Sequence, residues 1–409
     1  MKTPSFKTTR LACRLSGITQ AIAVMVPSIL FAVFQDDYGL TYSQLGTLIL
    51  VIFVVQIFVD LLLSGISHKV DPRGAMMLCC GLPAVGFILM ALTPVLFPGH
   101  IYVGLLIAVS VTSVGSGINE VMSSPVSDSL PTDDRGSNMA MLHSFYCWGC
   151  LIAILVTTLL LKVLGRSNWQ WILVFWTLVP LVDLVLFRIS PFPEMLSGHE
   201  EGNSTQLLRS GMFWAAVMVM IASGASEQAM SQWASLFAQK ALGLDKTLGD
   251  IAGPCFFALC MGLGRLYYGF KGEKIHMRRA LMISSLLCIC SYLLAIFAPN
   301  PVFSLIGLGL CGLSVSMMWP GTLVLSSKAM PKGGTALFAL LALGGDIGCS
   351  AGPWATGIIS DGLLNSSMAA ASHLSPDQFS LRGGLLFSIL FPVLLMIFLP
   401  VLTKEKSNE

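Results

Sequence analysis

GINEVMSSP (residues 117–125) and GLSVSMMWP (residues 312–320) carry a glycine and a proline at the same spacing, 195 residues apart. A second proline follows each, Pro131 and Pro331. Two more pairs recur in the same order. SGITQ (16–20) stands beside SGASE (223–227), and Gly39-Leu40…Gly46 beside Gly243-Leu244…Gly249. The segments GISHKVDPR (65–73) and GFKGEKIHMR (269–278) also match, the second one residue longer. Several pairs in register predict two copies of one structural unit, joined head to tail.

The composition says what kind of unit. Of 409 residues, 55% are hydrophobic and only 11% charged, and the mean hydropathy is +0.80. A soluble domain of this length carries about twice that charge. Apolar runs of about 20 residues, enough to cross a hydrocarbon core, recur along the chain. They separate at charged or Pro/Gly-rich breaks into twelve predicted spans: 11–34, 44–67, 75–97, 101–129, 138–164, 170–189, 210–240, 248–270, 279–298, 302–327, 334–362 and 382–403. The fold class predicted is an all-α polytopic membrane protein of two six-helix bundles, 1–189 and 210–409, with a polar linker at 190–209.

Charge placement orients the spans. With the N-terminus inside, all 23 Lys and Arg fall on the inner side except Lys162, Arg166, Lys240, Lys246 and Arg382. Cytoplasmic termini in a cell (plasma or inner) membrane follow from the positive-inside rule. The basic N-terminus leads into a run of spanning length without a small-x-small cleavage site, and reads as a retained first helix. A net charge of +2 spread in this way predicts no nucleic-acid partner. Most of the eleven cysteines sit inside spans as small apolar residues, Cys147 and Cys150 included, so neither a disulfide framework nor a metal is expected. No cofactor is implied, and the chain reads as a monomer in a lipid bilayer.

With its twelve spans, central linker and repeats, the chain resembles the major facilitator superfamily over nearly its whole length. The family's loop signature after the second span is partly kept, as Gly65, Lys69 and Arg73, with His68 near the place of its aspartate. Within the superfamily, LHSFYCWG (142–149), GASEQAMSQW (224–233), GGDIGCSAGPWATG (344–357) and the Asn119-Glu120 pair are similar to the fucose-permease-like branch of proton-linked sugar symporters. That branch's first-helix acid has no counterpart here; the first span offers Arg14 and Gln20. The resemblance implies alternating access, with parallel repeats and a substrate site near the midplane.

An ionisable side chain at a span's centre costs about 2.5–3.5 kcal/mol on insertion scales, so each needs an account. Glu120 lies about 8 Å from the middle of the fourth span, by a rise of 1.5 Å per residue. Buried there beside Asn119, it would bind and release a proton near neutral pH and couple it to substrate. The competing reading is a structural acid hydrogen-bonded by Asn119, Ser116 or a neighbouring helix. Asp346, in the small-residue stripe of Gly344, Gly348 and Gly352, either joins the coupling network or is structural.

A substrate lining is expected from Gln20, from His143, Tyr146 and Trp148, and from the seventh-span stripe of Glu227, Gln228 and Gln232 with Trp233. Trp319 beside Pro320 is a further candidate. Interhelical hydrogen bonding explains the Gln residues equally well. Asp60, Gly65, Lys69, Arg73, Arg265, Lys274 and Arg278 are expected to form a cytoplasmic gate, and Asp183 to pair with Arg188. The function predicted is secondary active transport of a small polar solute, such as a sugar, with protons more favoured than sodium as the coupling ion. Export of drugs or other hydrophobic compounds by proton antiport is the alternative. The short polar ends and the lack of a nucleophile–base set argue against an enzyme or receptor.

Overall fold

Inside a bilayer the backbone finds no water, so a spanning segment must satisfy its N–H and C=O groups within its own helix. The computed structural model describes residues 6–66, 70–131, 135–194, 207–271 and 275–402, and no strand occurs among them. Eleven segments of these residues are long and apolar enough to span: α1 (Lys7–Tyr38), α2 (Tyr42–Leu63), α3 (Pro72–Leu96), α4 (Ile101–Asp128), α5 (Met141–Leu164), α6 (Arg166–Ile189), α8 (Lys246–Tyr268), α9 (Met277–Phe297), α10 (Pro301–Ala329), α11 (Ala336–Leu364) and α12 (Pro376–Leu402). Between α6 and α8 lies α7 (Gly211–Leu236), whose 26 residues rise about 39 Å. It is long enough to cross, and its Ser, Gln and Glu residues keep it out of the apolar set. This is the twelve-helix fold expected.

The chain divides into two compact units, Met1–Ser197 and Gly198–Glu409. In the first, α1 packs along α5, α4 packs against both α2 and α3, and α3 packs on α6. In the second, α7 packs along α11, α10 against both α8 and α9, and α9 on α12. The two contact patterns correspond helix for helix, which is the repeat seen in three dimensions.

The repeated glycines do the same work in each unit. A Cβ on Gly117 would stand 2.7 Å from Val59 Cβ and 3.0 Å from the Gln56 carbonyl oxygen, so α4 closes on α2 only because it is absent. Its counterpart Gly312 meets the Phe257 carbonyl more closely still, where α10 crosses α8. Gly39 and Gly243 both have φ +70°, a left-handed conformation that ends a helix at little cost only for glycine. Gly39 N–H donates to Gln35 O at 2.9 Å and Leu40 N–H to Phe34 O at 3.3 Å; Gly243 and Leu244 donate to Gln239 O and Ala238 O, both at 3.1 Å. These paired bonds cap both helices in the same way.

Two of the boundaries that differ from expectation have a clear local reason. Helix α12 starts at Pro376 rather than 382, because Ser375 and Gln378 form a reciprocal cap. Helix α1 runs on to Tyr38, where Arg166 Nη1 meets Asp36 at 2.9 Å and Nη2 meets Asp37 at 3.0 Å. Arg166 also donates to the Ala32 carbonyl at 2.8 Å, supplying a hydrogen bond to the end of the helix.

Candidate functional site

In the first unit, α1 meets α4 through one amide. Gln20 Nε2 donates to Glu120 Oε2 at 3.0 Å, and Asn119 Nδ2 donates to Gln20 Oε1 at 2.8 Å. An ionised carboxylate can only accept and a planar amide nitrogen can only donate, so this chain of contacts fixes which way the Gln20 amide faces. Asn119 is buried against α1, whereas Glu120 is exposed. The expected burial of Glu120 is therefore corrected. Successive helical residues point about 100° apart, so the helix that buries Asn119 against α1 leaves Glu120 at the edge of the contact, where it reaches Gln20 while staying exposed.

Asp60, expected at the gate, is half-buried on α2. On α5, His143 and Trp148 are exposed and Tyr146 is half-buried. Arg14 of α1 lies over the Phe145 ring at 5.7 Å.

In the second unit the polar stripe of α7 is a connected array. Arg265 Nη2 of α8 lies 3.1 Å from Glu227 Oε2. Gln228 Nε2 approaches Glu227 Oε1 at 3.5 Å, and Gln232 Nε2 donates to Gln228 Oε1 at 2.8 Å. Glu227, Gln228 and Gln232 are all buried, and Gln232 Oε1 has no hydrogen-bond donor. Arg265, expected at the inner gate, is thus joined to the predicted binding stripe. Trp233 leaves the predicted lining. It is wholly buried and its Nε1 donates to the Pro353 carbonyl at 3.0 Å, so its ring is packing between α7 and α11. Trp319 is half-buried, and its ring lies so close to Gly345 that any side chain there would collide with it. Asp346 is buried on α11.

Of the other gate residues, Arg73 donates to the Phe187 and Arg188 carbonyls at 3.3 and 2.9 Å and lies 4.9 Å from the Phe192 ring centroid. It ties the start of α3 to the end of α6. Gly65 continues the helix of α2, and Arg278 is exposed at the start of α9. Lys69 and Lys274 lie outside the described residues. Asp183 does not pair with Arg188: it is wholly buried against α3, accepting a hydrogen bond from Cys80 Sγ at 3.2 Å, while Arg188 is exposed.

One cluster had no forecast. Asp250 of α8 is wholly buried, with Lys246 Nζ 2.8 Å from its Oδ2. Ser235 Oγ donates to Asp250 Oδ1, and Lys246 donates to Ser235 Oγ at 2.9 Å. The i, i+4 spacing of Lys246 and Asp250 was the available signal. Its pairing with α7 was not visible in a linear sequence.

The family model of the major facilitator superfamily matches residues 13–353. The chain belongs to the major facilitator superfamily. Solved structures agree on the fold. A bacterial homologue of the human lysosomal transporter Spinster, inward-facing and occupied, superposes with a TM-score of 0.80 at 16% identity, covering 98% of each chain. A D-xylose–proton symporter gives 0.73 at 15% identity, covering 95% of this chain and 97% of that one. The Escherichia coli fucose:proton symporter gives 0.62 at 17%, covering 98% of this chain and 100% of that one. No curated protein matches by sequence. Family and neighbours together mark the chain as a multi-pass membrane transporter.

Proposed function

We propose that the protein is a proton-coupled symporter for a small polar solute, a sugar or a related compound, working by alternating access with both termini in the cytoplasm. The observation that carries this reading is Glu120: an exposed carboxylate within a membrane helix, held by the single amide of Gln20. An acid in a span is expensive unless it has a task. Exposure lets this one exchange a proton with its surroundings. A proton arriving there would also convert an acceptor of the Gln20 N–H into a potential donor, so protonation is passed on to the Gln20–Asn119 pair.

In the second unit, the Glu227–Gln228–Gln232 array supplies the donors and acceptors that a polyhydroxylated solute requires, with Arg265 holding the carboxylate in place. The D-xylose–proton and fucose:proton symporters, which share the fold, support the same class of cargo.

The test has two stages. A thermal-shift panel of sugars, polyols, nucleosides and hydrophobic drugs identifies a ligand, since stabilisation grows with ligand concentration over affinity. Proteoliposomes under an imposed proton gradient then measure its accumulation. The wild type should accumulate the solute, and Glu120→Gln should lose accumulation while retaining solute exchange. Full accumulation by Glu120→Gln refutes the coupling role. Binding of hydrophobic drugs alone, with export, refutes the cargo.

A further inference from the structure

We propose that Asp60 is the second carboxylate of the coupling site, sharing one proton with Glu120. This rests on the proton-coupled reading of Glu120 and deepens it.

The geometry begins at Gly117. Helix α4 touches α2 there, against Val59 and the Gln56 carbonyl. One spanning helix, α3, separates α2 from α4, so the two run in the same direction. One step along α2 from the contact is Asp60, and three along α4 is Glu120. Both acids therefore stand on the same side of the crossing, less than one turn beyond it.

The surroundings favour one added positive charge. Asp60 Oδ1 is buried without a hydrogen-bond donor, and so are Gln56 Oε1, one turn earlier on α2, and Asn119 Oδ1, beside Glu120. Gln56 is 3% exposed and Asn119 5%. Buried acceptors without donors are costly, and here three are contributed by the two helices that carry the acids. A proton held by the carboxylate pair removes the repulsion and supplies the missing donor to one of these oxygens.

Among the described residues, three cations on neighbouring helices make other contacts. On α1, Arg10 donates to the Pro131 carbonyl and Arg14 lies over Phe145; on α3, Arg73 binds the Phe187 and Arg188 carbonyls. Among the described residues, other titratable groups on the packed helices include Cys13 of α1, Cys79 and Cys80 of α3, Asp128 of α4, His143 of α5 and Asp183 of α6. The three cysteines are buried in the core around Met76, with Asp183 buried against Cys80, while Asp128 is half-buried and His143 exposed.

Infrared spectroscopy of the purified protein in lipid reads protonated carboxyls directly and needs no substrate. Wild type should show a carboxyl C=O band that titrates with pH. In both Asp60→Asn and Glu120→Gln, the midpoint of the acid left behind should move to lower pH by about one unit or more, because interacting acids titrate as a pair. Asp60→Glu should restore the wild-type band, which a purely structural role for Asp60 does not require. An unchanged midpoint in either single variant overturns the proposal. So does a band displaced by sodium at constant pH, which would make the ion sodium. Accumulation by Glu120→Gln proteoliposomes would defeat the transport reading alone, whatever the infrared pair shows.

Discussion

Removing one partner of the Glu227–Arg265 pair should destabilise the second unit more than any surface ion pair would. The side chains lie 3.1 Å apart, 10% and 28% exposed. At an effective dielectric of 20, charges at that distance attract by about 5 kcal/mol. Desolvation offsets much of this, yet stranding one charge of a largely buried pair costs about 3–5 kcal/mol. Arg265→Gln should fall at the upper end, since it strands the more buried Glu227. Glu227→Gln should cost about 3 kcal/mol, because the guanidinium keeps partial access to polar surroundings. The double variant should cost less than the two singles combined, by about 2 kcal/mol. At about 2–4 °C per kcal/mol for a unit of this size, tryptophan fluorescence of thermal unfolding in lipid nanodiscs resolves each term. Additive losses, or an Arg265→Gln variant as stable as wild type, would refute the assignment of Arg265 to Glu227.

Two further outcomes follow from single contacts. Trp233→Phe removes the bond to the Pro353 carbonyl and should cost about 1 kcal/mol in unfolding experiments while leaving ligand affinity unchanged; a tenfold weaker ligand would return Trp233 to the binding site. Gly243→Ala forces a side chain into φ +70° and should lower stability by about 1–2 kcal/mol, with Gly39→Ala matching it. A stabilised variant at either glycine would break the equivalence of the two caps.

Glu227 and Arg265 also show the limit of linear reading. The polar stripe on α7 was legible, because residues four apart share a helix face. Its cation sits 38 positions on, and nothing in the α8 sequence distinguishes a gate arginine from a partner for Glu227. Trp233 failed for the opposite reason. Its place beside Gln232 suggested a lining, but the helix turns it toward α11, where Pro353 accepts its N–H. Gln20 was expected in a substrate lining, and its place as the joint between Asn119 and Glu120 required the α1–α4 packing. Asp60 was grouped with the basic loop that follows it, and only the packing of Gly117 against Val59 shows that it follows directly on the α2–α4 contact.

The sequence by itself determined the number of helices, the repeat with its paired glycines, and the superfamily. Each of these is local or periodic: spanning length, glycine where the backbone needs it, and the same pattern met twice. Only the tertiary structure decided which polar side chains meet, which acids are exposed, and which aromatic ring is merely packed. Those depend on the rotation of each helix about its axis against its neighbours. In a membrane that rotation is set by close packing and interhelical hydrogen bonds, where an error of one residue, about 100°, turns a buried amide into an exposed carboxylate.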